Sequence, residues 1–159
     1  MLSGCSFAPS PADEQSARPL ALPVLTVEHQ RIQPAEMIYR SGTTTRRHSS
    51  PRTAPPAVPV TPRRDLRIRL VGRYPVRVLR VGAFARVDAH DAPVDGGDQY
   101  DCLADSPCRA HVRAGSLVLR VPLLSPVRLV IVREVCDLEG GGTLEVVWRF
   151  LRGEATAGS

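Results

Sequence analysis

The sequence predicts a mainly β fold, a small antiparallel sheet with α+β as the alternative, preceded by a disordered region rich in proline and arginine. Three observations predict it. From Asp65 onward apolar side chains recur at every second position, which is the strand period. Helix signals are poor throughout: long stretches of helical period are few, glutamate and glutamine are few, and β-branched residues are many. Ten of the 15 prolines fall within the first 62 positions, where each removes a backbone donor and fixes φ. The expected organisation is a disordered tether over 1–62, a β-rich domain over 63–152 and a flexible tail over 153–159.

Within the first region two short ordered pieces are expected, a strand over Leu22 to Val27 and a second piece over Glu36 to Arg40. The segment between them and Asp65 carries proline at 51, 55, 56, 59 and 62, which argues against a helix or a central strand. Leu66, Ile68 and Leu70 then alternate with Arg67 and Arg69. Val76 and Val78 share one parity, and Leu79, Val81, Ala83, Ala85 and Val87 share the other. A switch of parity is the signature of a β-bulge, expected here near Gly82. Leu117, Leu119, Val121 and Leu123 form another one-sided set. Val127 to Val135 is apolar on both faces, as a central strand would be. Gly140, Gly141 and Gly142 supply a turn, and Leu144, Val146, Trp148 and Phe150 follow on a single face. The firmest structural expectation is therefore a hairpin of 127–135 with 143–151, anchored by Trp148 and Phe150.

Charge is unevenly placed. All 21 basic residues are arginine, and the net charge is +5. Twelve arginines and one acid, Asp65, lie between Arg40 and Arg86; six aspartates and one arginine lie between Val87 and Arg109. A basic block followed by an acidic one points to mutual screening, an anionic partner, or both. Arg67, Arg69, Arg73 and Arg77 share one parity, so an extended run would present them together as an anion-binding stripe. The block has few aromatics for base stacking, only Tyr74 and Phe84, so nucleic acid is the less favoured partner. A solvated strand face, rich in arginine through codon usage, is the simplest account of the stripe.

Catalytic signatures are missing. The chain has no Gly-x-Ser-x-Gly elbow, no P-loop and no Gly-x-Gly-x-x-Gly, and Glu145 and Glu154 have no evident partner for acid–base work. No enzyme activity and no cofactor are expected. Cys102, Cys108, His111 and His90 are zinc-ligand types at a spacing that matches no zinc motif. Asp88, Asp91, Asp95, Asp98, Asp101 and Asp105 punctuate a loop without the EF-hand pattern, so no metal site is expected either. Cys102 and Cys108 could close a small disulfide loop in an oxidising compartment. Cys136 reads as a small buried hydrophobe.

The first residues, Leu2-Ser3-Gly4-Cys5, resemble the lipobox of bacterial lipoproteins, and the stretch from Ser6 to Ala12 reads like a tether. The resemblance implies lipidation at Cys5, a membrane partner through that anchor, and a recorded start that has lost about 15 to 20 residues of signal peptide. Over the first third the chain also resembles the ABC-type transport auxiliary lipoproteins. Those carry a lipobox, a Pro-rich tether, a strand ending in Tyr-Arg and an Arg-Trp segment leading into Pro-Ala. Here the matching residues are Met37-Ile38-Tyr39-Arg40 and Arg52-Thr53-Ala54-Pro55-Pro56-Ala57, without the tryptophan. The resemblance implies an accessory part in envelope lipid transport through protein contacts.

Three functional expectations follow. The first is a non-enzymatic, lipid-anchored protein on the periplasmic side of the envelope. The second is an Arg-rich β module that binds nucleic acid or other polyanions, cytoplasmic if translation starts at Met1. The third is a reading frame without selected function, because Arg-, Ala-, Pro- and Val-rich text also arises when a GC-rich gene is read in another frame. Such a chain would lack cooperative unfolding.

Overall fold

The computed structural model describes residues 21–50, 54–60, 65–104, 106–123 and 126–153. The fold is mainly β, as the alternation predicts, and no helix occurs among the described residues. The strands form two antiparallel sheets rather than a single small one.

The front sheet has the order β2-β1-β6-β10-β9. Its strands are β1 (Val24–Val27), β2 (Gln30–Ile32), β6 (Asp65–Val71), β9 (Arg109–Arg113) and β10 (Ser116–Pro122). The back sheet runs β4-β3-β12-β11-β7-β8. It comprises β3 (Glu36–Ser41), β4 (Thr44–Ser49), β7 (Val76–Phe84), β8 (Asp98–Asp101), β11 (Leu129–Asp137) and β12 (Thr143–Gly153). β5 (Ala57–Pro59) adds a short parallel pairing to the far end of β12, beyond the stretch that pairs with β3.

The sheets face each other across one apolar core. Leu66, Ile68 and Leu70 of β6 and Leu119 and Val121 of β10 enter it from the front. Leu79 and Val81 of β7, Val130 and Val132 of β11, and Val146, Trp148 and Phe150 of β12 enter from the back. Trp148 and Phe150 are both fully buried, so the two largest anchors of the core lie on one strand. The expected β11–β12 hairpin is the centre of the back sheet, with Val130 opposite Phe150 and Val132 opposite Trp148. Its turn needs glycine at its end. Gly142 has φ +105°, and a Cβ there would sit 2.5 Å from the Arg40 carbonyl oxygen.

Two expectations are corrected. The tether drawn over 1–62 does not reach that far: β1 to β5 lie in 24–59, and β1, β3 and β5 pair with β6 and β12. β1 and β3 fall on the two short ordered pieces expected at Leu22 to Val27 and Glu36 to Arg40, and β1, β3 and β5 each borrow a long partner strand that supplies hydrogen bonds. Cys5, with the rest of residues 1–20, lies outside the described residues. The parity switch in β7 is indeed a bulge, but not at Gly82, which pairs regularly with Ile131. Val78 pairs with Val135 and Val76 with Cys136, so Arg77 is the extra residue.

Candidate anion-binding face

β6 alternates strictly: Leu66, Ile68 and Leu70 are buried, while Asp65, Arg67 and Arg69 are exposed. The alternation that fills the core therefore also sends Arg67 and Arg69 to the outer face of the front sheet. The neighbouring strands do the same. In register, Arg67 lies beside Arg120 of β10, and Arg120 lies beside Arg109 of β9. Three arginines thus stand abreast on three adjacent strands. One row along, Arg69 is flanked by Val118 and His111 on one side and by Thr26 and Arg31 on the other. Arg113 continues the face at the end of β9, opposite Ser116.

All of the outer-face residues just named except Arg31 and Arg109 line an open concavity of about 710 Å³. Arg67, Arg69, Arg113 and Arg120 contribute to its wall, against two carboxylates, Glu28 and Asp65. No ion pair among the described residues involves these arginines; the pairs present engage Arg40, Arg47, Arg77, Arg86 and Arg133. Like charges directly opposite one another on neighbouring strands repel. The face therefore carries an excess of positive charge, with Glu28 and Asp65 as its only carboxylates and no ion pair to these arginines among the described residues.

One arginine is held in place. Arg69 Nε donates to Ser116 Oγ at 2.9 Å, and Ser116 Oγ donates to the Arg113 carbonyl at 2.8 Å. Ser116 is only 4% exposed, so this small network sits beneath the arginine layer. It fixes the Arg69 guanidinium by its Nε edge, and the two terminal nitrogens take no part in this network.

The stripe expected over Arg67, Arg69, Arg73 and Arg77 is split by the structure. The chain turns over 72–75 and crosses to the back sheet, so parity does not carry across. Arg73 lies in that turn, and Arg77 lies on β7, 3.6 Å from Asp137. Only Arg67 and Arg69 belong to the face. Arg109, Arg113 and Arg120 complete it from strands about 40 to 50 positions further along the chain. Their one sequence signal was the parity of Arg120 against Leu119 and Val121.

The other singled-out residues have local roles. Cys102 and Cys108 are joined in a disulfide with their Cα atoms 5.0 Å apart, and both are buried. The bond clips the crossover from β8 in the back sheet to β9 in the front sheet, and it takes both sulfurs away from any zinc set. In the acidic loop, Asp88 Oδ1 accepts from the amides of His90 and Ala92. Those bonds hold the Asp88 carboxyl below its ordinary value. Asp95 pairs with Arg86, and Asp101 Oδ1 accepts from the Leu103 amide.

Two glutamates have opposite environments. Glu145 bridges Arg40 at 2.9 Å and Arg133 at 2.6 Å. Burial pushes its carboxyl up, and the two guanidiniums together outweigh burial and leave it below its ordinary value. Glu134 points into the core between Leu79 and Val146. It is 1% exposed, and its Oε2 has no hydrogen-bond partner among the described residues. Burial raises its carboxyl to about 7, partly offset by a hydrogen bond with the Cys136 thiol. Burial also drives that thiol up to about 12, so Cys136 is not a nucleophile at neutral pH.

No protein-family model matches the chain, and no match is found among curated proteins or solved structures. The reading of the site therefore rests on its own geometry.

Proposed function

We propose that this chain is a non-catalytic β-sandwich that binds an anionic ligand through the outer face of its front sheet. The observation that carries the proposal is the register of Arg67, Arg120 and Arg109: three exposed arginines abreast, none in an ion pair among the described residues. Juxtaposed like charges reduce stability, and an anion that bridges them reverses the sign of that effect. The buried Ser116 beneath Arg69 supports the same reading, because it orders a guanidinium that solvent alone would leave mobile.

The disulfide favours an oxidising compartment, and the lipobox-like Leu2 to Cys5 favours attachment of the protein to a membrane there. On this reading the module works outside the cytoplasm, tethered through Cys5. An accessory role in envelope lipid transport is compatible with it and rests on the sequence resemblance alone.

The test compares two variants of equal charge. Arg67→Gln/Arg109→Gln/Arg120→Gln removes the face, and Arg47→Gln/Arg77→Gln/Arg86→Gln removes three arginines that already have carboxylate partners. Binding to immobilised heparin, a general linear polyanion, is expected to fall sharply in the first and little in the second. Equal losses would mean that net charge, not this face, does the binding.

A further inference from the structure

We infer that the face takes a condensed phosphate chain laid across the strands, an inference that rests on the anion-binding reading above. Neighbouring strands lie about 4.8 Å apart, so Arg67, Arg120 and Arg109 form a row with that spacing. The row containing Arg69 and Arg31 lies two residues along, about 7 Å away. Charges are thus dense in the direction across the strands. A ligand that satisfies them needs an anion at nearly every step of its own chain. Nucleic acids and sulfated sugars place a sugar between successive charges; a condensed phosphate carries a charge on each unit without a spacer. The arginine fork matches the tetrahedral oxygens of phosphate in pairs.

Two further observations point the same way. The concavity is lined by no Phe, Tyr or Trp, the side chains on which bases stack best, and its only rings are those of His29 and His111. It also holds Arg69 and its buried Ser116 support, so an anion that enters it meets an already ordered guanidinium. The length of the site follows from the sheet. Five strands abreast span roughly 19 Å from β2 to β9, and a chain gains contacts until it covers that width.

The experiment titrates the full chain, disulfide intact, with orthophosphate, tripolyphosphate, polyphosphates of increasing length, a thymidine oligonucleotide and vesicles containing anionic phospholipid. Affinity is expected to rise at least about tenfold from tripolyphosphate to a chain spanning the sheet, and then to level off per site. The face variant Arg67→Gln/Arg109→Gln/Arg120→Gln is expected to lose most of that gain while unfolding at a temperature no lower than the parent. Polyphosphate affinity that does not depend on length would overturn the inference. So would tighter binding of the oligonucleotide or the vesicles at equal charge concentration. If those competitors bind through the same arginines, the anion-binding reading survives and only the ligand is wrong. If no probe responds to the face variant, both fail.

Discussion

Replacing Glu134 by glutamine offers a sharp test of how the core is built. Glu134 is 1% exposed, lies between Leu79 and Val146, and has its carboxyl raised from 4.5 to about 7. An acid whose folded value is raised favours the folded state while it stays protonated. Its contribution is intact below pH 4.5, where both states are protonated. It is lost as pH rises toward 7, because the unfolded chain ionises first. Above 7 the loss is complete, and at about 1.4 kcal/mol per tenfold change in proton affinity it amounts to roughly 3 kcal/mol. Glutamine keeps the shape and cannot ionise, but its amide inherits the poor hydrogen bonding around Oε2, at a cost of about 1–2 kcal/mol. Glu134→Gln should therefore be more stable than the parent at pH 8 by about 1–2 kcal/mol, a rise of roughly 3–6 °C in Tm for a chain of this size. At pH 4.5 the advantage should vanish or reverse. Urea unfolding between pH 4 and 8, followed by the fluorescence of the single, fully buried Trp148, reads this directly. Parallel pH profiles for parent and variant would refute the reasoning, since they would mean that Glu134 ionises freely in the folded state.

Other predictions use separate parts of the fold. Cys102→Ser/Cys108→Ser should cost about 2 kcal/mol, the loop-closure value for so short a loop, and a reducing agent should lower the parent's Tm but not the variant's. Glu145→Gln leaves Arg40 and Arg133 without their shared carboxylate and should cost about 1 kcal/mol at pH 7. That carboxyl is held low, so its contribution is present above the ordinary carboxylate range and fades as pH falls through and below it, which acid unfolding of parent and variant can compare. Gly142→Ala should cost about 2 kcal/mol or more in urea unfolding, because φ +105° and the Arg40 carbonyl both exclude a Cβ. Arg120→Gln should raise Tm slightly while weakening polyanion binding, since it stands between Arg67 and Arg109; a lowered Tm would mean that the row is structural.

The parts of this architecture legible in the sequence are those in which one strand carries its own signal. The one-sided sets at Leu66 to Leu70 and at Leu144 to Phe150 announce β6 and β12, because burial on a single face leaves a period of two. β2, β4 and β5 were not legible. Gln30–Ile32 and Ala57–Pro59 are three residues each, and every residue of Thr44–Ser49 is exposed, so no pattern can form. The candidate site was half legible. Arg67 and Arg69 show their parity within β6, but Arg109 and Arg120 join them only through pairings of distant segments. Arg73 and Arg77 shared the parity and not the face, because a turn over 72–75 carries the chain from one sheet to the other. Glu134 was hidden for a related reason: an acid inside an apolar run looks like an exposed position until the register places it against Leu79.

The most direct test of the account is the salt dependence of polyphosphate binding, measured for the parent and for Arg120→Gln. Each arginine that neutralises a phosphate releases counterions, so the parent's logarithmic slope reports how many take part. The account predicts that Arg120→Gln lowers the magnitude of the slope by about one, and that the face triple variant lowers it by about three. Slopes that stay parallel across these variants would contradict it, and would show that the arginine row of the front sheet is not where the anion sits.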